Sequence, residues 1–258
     1  MNGMETDMKQ TEENQIKGIS GSTLKIIAMV TMFIDHIGAG FIEKGLLPFL
    51  IKTYGAKAAI VNTWSVIDTI MRCIGRMAFP IFCFLIVEGY YHTRDVKKYL
   101  GRLFLFAIIS EVPFDLAFMG RVWDPSFQNV DFSLFLGLLA IVICDRVKLT
   151  GWKHKLVSAC TLVGLGIIAM VMHTDYMFIA VLLIYIFYVF RQQEPMRNIA
   201  GAVALLGAGT IEIAGYVAFL PMHFYNGKRG LKLKYVFYLF YPVHILVIAL
   251  VRIYVFGA

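Results

Sequence analysis

The stretch Leu24 to Gly40, LKIIAMVTMFIDHIGAG, sets an aspartate and a histidine side by side in a run that is otherwise apolar. A helix needs about twenty mostly apolar residues to span a bilayer, and this run with its flanks is long enough. Ionisable groups inside such a segment are costly, so Asp35 and His36 read as functional. The bland alternative is a soluble core helix with the pair at its watered end. Composition counts against it. Of 258 residues, 59% are hydrophobic and only 16% are charged, with a mean hydropathy of +0.72. A soluble domain is nearer a quarter charged. The chain reads as an integral membrane protein.

Its apolar runs are continuous, whereas the strands of a membrane barrel alternate over about ten residues. The spans are therefore helices. The net charge of +7 comes from basic residues in short loops, where they orient a membrane protein, so nucleic acid is not an expected partner. Cys73, Cys83, Cys144 and Cys160 show no CxxC or Cys/His spacing, so no metal is expected. The N-terminal MNGMETDMKQTEENQIKG is polar and reads as a loose cytoplasmic tail.

The expected architecture is an all-α, polytopic membrane bundle of about eight transmembrane helices. Residues 1–21 form the tail and 22–258 a single domain. The spans read as Ser22–Ile42, Met77–Tyr91, Tyr99–Met119, Phe132–Cys144, Lys155–Met172, Tyr176–Phe190, Ile199–Leu220 and Tyr235–Phe256. Residues 43–74 contain Pro48, Gly55, Asn62 and several lysines, and read as a non-spanning loop with amphipathic pieces. Lys9, Lys17 and Lys25, then Arg94–Arg102, Arg146–Lys155, and Arg191 with Arg197 fall in alternate loops. The positive-inside rule makes that side cytoplasmic. The basic run Asn226–Lys234 breaks the pattern. Either the count is wrong by one before it, or the cations are held there for function; function is the favoured expectation.

With this topology the ionisable groups within the spans gather in the outer half, where they must pair or line a wet cavity. His36 suits proton transfer near neutrality. Asp35 lies about 100° away around the helix and is a poor partner for it, so Glu111 from another span is at least as good a candidate. Arg76 and Arg229 could hold an anion or a developing oxyanion. Structural alternatives are an ion pair of Arg76 with Glu88 or Glu111, and a simple His244–carbonyl bond.

Six pieces resemble the TraX family of bacterial membrane proteins. They are LKIIAMVTMFIDHIG (24–38), GRMAFPIFCFLIVEGYYHTRDVKKYLGRL (75–103), the segment around SEVPFD (110–115), NVDFSLFLGLL (129–139), Asp175-Tyr176, and YNGKRGLKLKYVFYLFYPVHI (225–245). They occur in family order. TraX takes its name from the N-terminal acetylation of conjugative pilin, and is similar to broader transmembrane acyltransferases. The resemblance implies His36 as the catalytic centre, with Asp35, Arg76, Arg229 and His244 around it. It implies acetyl-CoA as the acyl donor, used from the cytoplasmic side, with Asn226, Lys228 and Tyr241 in the donor pocket. The basic residues Arg94, Lys97 and Lys98 would steer the donor in. The acceptor would be an amine or hydroxyl of a protein N-terminus or glycan, presented outside the bacterial inner membrane. A transporter or channel, or a non-catalytic pilus or envelope assembly protein, are the rival readings.

Overall fold

The computed structural model describes residues 18–231 and 234–257; nothing is said of residues 1–17, so most of the expected tail, with Lys9 and Lys17, lies outside the described residues. The first helix starts where a polar cap allows it. Ser20 is extended and its hydroxyl accepts from the Thr23 N–H at 3.3 Å. Helix α1 (Gly21–His36) passes into a π-helical segment (Ile37–Leu46) and then α2 (Leu47–Tyr54), one continuous rod of 34 residues. At 1.5 Å per residue it is about 51 Å long. A turn at Gly55–Ala58 returns the chain into α3 (Ala59–Gly75) and α4 (Ala78–His92). The two rods run antiparallel: a Cβ on Gly38 would meet Asp68 at 2.9 Å and Arg72 at 3.4 Å.

Residues 43–74 are thus helical rather than a loop. The apparent breakers fall where a helix tolerates them. Pro48 directly follows the π-helical segment inside the rod, where a membrane helix accommodates the lost backbone bond by local adjustment, and Gly55 takes φ +84° in the turn. Because the hairpin returns, Gly21 and His92 lie at the same end of the molecule.

Helix α5 (Val96–Phe114) is capped by Asp95, whose carboxylate accepts from the Lys98 N–H at 3.0 Å; that bond holds the Asp95 carboxyl below its ordinary range. It ends in a second π-helical segment (Asp115–Met119), and α6 (Val130–Arg146) comes back. Next are α7 (Gly151–Val171) and α8 (Met177–Val189). The core lies between α4, α6 and α8, where Ile81, Val87, Leu138, Ile141, Leu183, Ile184 and Phe187 are fully or almost fully buried. α7 instead exposes Leu156, Val163, Ile167 and Val171, as a helix does on the side it turns to lipid.

The expected span Ile199–Leu220 is broken. α9 (Glu194–Leu206) stops at Gly207–Gly209, Gly209 takes φ +132°, and a 3-10 segment (Thr210–Ala218) and short α10 (Phe219–His223) lead back. The Tyr216 hydroxyl donates to the Ala202 carbonyl at 2.8 Å, and His223 Nδ1 lies 2.7 Å from Glu194 Oε1, which closes the hairpin. The chain therefore reaches Asn226 at the end where it began. The Gly21 and Ser22 N–H groups donate to the carbonyls of Lys228 and Arg229 at 2.8 and 2.9 Å, satisfying free donors of α1. α11 (Lys234–Phe256) then crosses to the far end, where Phe256 packs on Phe41 and Phe49.

This resolves the Asn226–Lys234 anomaly against the favoured expectation: the count was one too high. Arg94, Lys97, Lys98, Arg146, Lys148, Lys153, Lys155, Arg191, Lys228 and Arg229 all fall at one end, the basic end. The bundle is all-α and of membrane type. Among the described residues, four helical stretches are long and apolar enough to cross a bilayer: Gly21–Tyr54, Ala59–His92, Gly151–Val171 and Val236–Phe256.

Candidate functional site

His36 is the last residue of α1, where α-helix gives way to π-helix. Such widened turns re-aim side chains and recur at functional sites. Glycines let neighbours close on this segment: a Cβ on Gly40 would meet Ile248 at 3.0 Å, and one on Gly45 would meet Phe256 at 2.7 Å. α11 is thereby drawn against α1. Its His244 ring lies edge to edge with His36, nearly coplanar at 7° with centroids 4.9 Å apart, and His36 Nδ1 lies 2.7 Å from His244 Nε2.

The hydrogen bonds fix the tautomers of the neutral pair. His244 Nδ1 lies 2.6 Å from the Phe240 carbonyl, which can only accept, so Nδ1 carries the proton. His244 Nε2 is then an acceptor, and His36 Nδ1–H donates to it. His36 Nε2 is left with a free lone pair and no hydrogen-bond partner among the described residues. Its ring lines a cavity of about 280 Å³ that reaches the far end past Glu43, Lys44 and Met119. Phe79, Phe114, Phe118 and Tyr241 supply apolar wall.

Asp35 is committed elsewhere. Its two oxygens take Arg72 Nη1 at 2.5 Å and Arg76 Nη2 at 2.7 Å. Arg76 Nη1 also donates to Glu212 at 2.8 Å and to the Tyr176 hydroxyl at 3.2 Å, and that hydroxyl donates to Glu212 at 3.1 Å. Arg76 Nε donates to the Arg72 carbonyl. Two arginines face two carboxylates, so the cluster is balanced and hydrogen-bonded, as buried ions require. It braces α1, α3, the 3-10 segment and the start of α8. Tyr176 is further fixed by stacking on Phe79 at 3.6 Å.

Arg72, Tyr176 and Glu212 were not placed in the site from sequence. The four-residue spacing of Arg72 and Arg76, one helical face, was the available signal for Arg72. Tyr176 lies in one of the six matching pieces and Glu212 is an ionisable group within an expected span, but neither shows its partner, because they join Arg76 through a turn and the broken hairpin.

Other expected residues fall elsewhere. Glu111 is bonded to the Asn129 side-chain amide between α5 and α6, not to His36. Asn129 also donates to the Ala107 carbonyl, so this is a helix–helix seam. Neither expected structural pair forms: Arg76 takes Asp35 and Glu212, while Glu88 takes Arg191 at 2.6 and 3.1 Å. Asn226 spends its side chain on the Gly18 carbonyl and the Lys228 N–H, holding the loop. Arg229 sits beside Ser22, fourteen residues of helix from His36, or about 21 Å. Lys97, Lys98 and Lys228 are exposed at the basic end, Lys98 in an ion pair with Asp95 at 3.2 Å.

A second cavity, of about 680 Å³, occupies the basic end. Lys25, Arg94, Arg102 and Arg229 line it, and Leu85, Ile86, Leu103 and Leu134 form its apolar depth. Met32, Phe82, Val130 and Tyr241 line both cavities. These four side chains are the partition between a basic-end chamber and the chamber that holds His36. Among the described residues no group of three His, Cys, Asp or Glu could hold a metal ion.

The fold and site define a polytopic all-α membrane protein with a histidine pair and an arginine–carboxylate cluster buried between its helices. The chain belongs to the TraX family: the profile of the TraX protein matches residues 20–252. It is 28% identical over 260 residues to a probable fimbrial assembly protein, FimC of serogroup H1, from Dichelobacter nodosus, a match covering 88% of this chain and 93% of that one. No solved structure matches the chain.

Proposed function

We propose that the protein is a membrane acyltransferase that passes an acetyl group from acetyl-CoA at the basic end to an amine or hydroxyl acceptor, a protein N-terminus or glycan, at the far end. One observation carries this: His36 presents a free Nε2 in a chamber separated from a basic-lined chamber by four side chains. The basic end would face the cytoplasm of a bacterial inner membrane, with the N-terminus on that side. Lys25, Arg94, Arg102 and Arg229 suit phosphates, and the apolar depth suits a slender pantetheine arm. His36 Nε2 takes the acceptor's proton as general base, and His244 holds the tautomer that leaves it free. Asp35 does not orient His36 directly. With Arg72 and Arg76 it fixes the helix from which His36 projects.

The relative's name supports a second reading, a non-catalytic part in fimbrial assembly. Acetyl-CoA hydrolysis by the purified protein in detergent separates the two, because it needs no known acceptor. Turnover in the wild type that is lost in a folded His36→Ala variant supports acyl transfer. No turnover, with no acetyl-CoA binding by calorimetry, supports assembly or transport.

A further inference from the structure

Acyl transfer needs a donor aimed at the thioester carbonyl, where negative charge develops. Neither arginine expected for that part is free to serve. Arg76 has Asp35, Glu212, Tyr176 and the Arg72 carbonyl as partners. Arg229 stands at the opposite end of α1. The donor must come from the partition between the chambers, and one side chain there has a proton to offer.

We propose that Tyr241 is a catalytic residue, its hydroxyl donating to the acyl carbonyl oxygen at the junction of the two chambers; this rests on the acyltransferase reading above. Tyr241 is 7% exposed and lines both chambers. It lies one turn before His244 on α11, and its ring centroid is 5.8 Å from that of His36. Its hydroxyl donates to no acceptor among the described residues, although a buried phenol ordinarily finds one.

Val130, the first residue of α6, packs on the cluster that holds Tyr241 and lines both chambers with it. Asn129 caps that helix by accepting from the Asp131 N–H at 3.0 Å, and its carbonyl takes the Phe132 N–H at 3.2 Å. Asn129 thus fixes the start of α6, against which Tyr241 packs.

The step balances. The acceptor X–H gives its proton to His36 Nε2 as its X atom bonds to the acyl carbon. Tyr241 O–H holds the carbonyl oxygen as charge gathers on it. The C–S bond then breaks, and the leaving thiolate takes the proton from His36. Tyr241 ends as it began. In hydrolysis water is X–H.

The test is acetyl-CoA hydrolysis by the full chain in detergent, with Tyr241→Phe beside wild type. The expected result is a kcat about 100-fold lower, with calorimetric binding of a non-hydrolysable thioether analogue of acetyl-CoA within twofold of wild type and an unchanged melting temperature. 3-Fluorotyrosine at position 241, a more acidic phenol of nearly the same shape, is expected to change kcat without changing that binding. A packing role predicts no change. If the wild type turns over and Tyr241→Phe matches it within twofold, or if fluorination leaves kcat unmoved, the assignment is overturned while acyl transfer stands. If the wild type neither turns over nor binds acetyl-CoA, both fall.

Discussion

Gly75 lies against Asp35 with no room for a side chain: a Cβ built on it would collide with Asp35 Cβ, Cγ and Oδ1. α1 and α3 approach closely at this level because Gly75 has no Cβ. Two arginines from α3 and its C-terminal turn then reach one carboxylate on α1. Gly75→Ala is expected to push the helices apart and cost about 1–3 kcal/mol, typical of overpacking. Thermal unfolding in detergent reads the loss. Acetyl-CoA turnover should fall further than stability, because His36 follows Asp35 in the chain.

Arg76 anchors three elements at once. Arg76→Ala leaves Asp35 with one partner and Glu212 with only a phenol. Breaking a buried pair typically costs about 3–5 kcal/mol. Arg76→Lys keeps the charge but cannot reach Asp35 and Glu212 together, so it should recover only part of the loss. Melting curves of the two variants side by side check this order.

His244 fixes the proton on His36. His244→Phe removes the acceptor of His36 Nδ1–H and lets the ring take either tautomer. Turnover is expected to fall about 10–100-fold, in the range of general-base contributions. Acetyl-CoA affinity should stay within twofold, because His244 does not line the basic chamber. A variant as active as wild type would remove His244 from the reaction.

Glu111→Gln keeps the Asn129 contact in neutral form. Turnover is expected to stay within threefold of wild type, the reverse of what a carboxylate acting on His36 would give. Steady-state kinetics decides.

The basic end can be located directly. In a background without native cysteines, Lys228→Cys and Lys148→Cys should react with a membrane-impermeant maleimide from one side of sealed vesicles, and Lys57→Cys from the other. A Lys228→Cys protein labelled from the same side as Lys57→Cys would refute the Gly207–Gly209 hairpin.

Fold class, membrane setting and most helix positions were legible because continuous apolar runs admit few alternatives. Two elements were not. Residues 43–74 hid a helical pair because Pro48, Gly55 and Asn62 look like breakers until their places in the first turn of α2, the inter-rod turn and α3 are known. Residues 199–220 hid a hairpin because their apolar run is continuous, and only the glycines at 207 and 209 mark its turn. The site was legible at His36, Asp35, Arg76, Tyr241 and His244, each bound to a recognisable stretch. It was not legible at Glu212 and Tyr176, which reach Arg76 only once the hairpin folds back. Arg229 was misplaced for the same reason: an error of one in the count moves every later residue to the other end.

The hairpin also settles parity. With α9 and α10 returning to the end they left, the described residues make seven passes between the two ends, and Phe256 finishes opposite Gly21. An even count would have kept both ends together. A reporter domain fused beyond Phe256 is therefore delivered to the side opposite the basic end: with the basic end cytoplasmic, as proposed, alkaline phosphatase would be active there, and green fluorescent protein exported in unfolded form would stay dark.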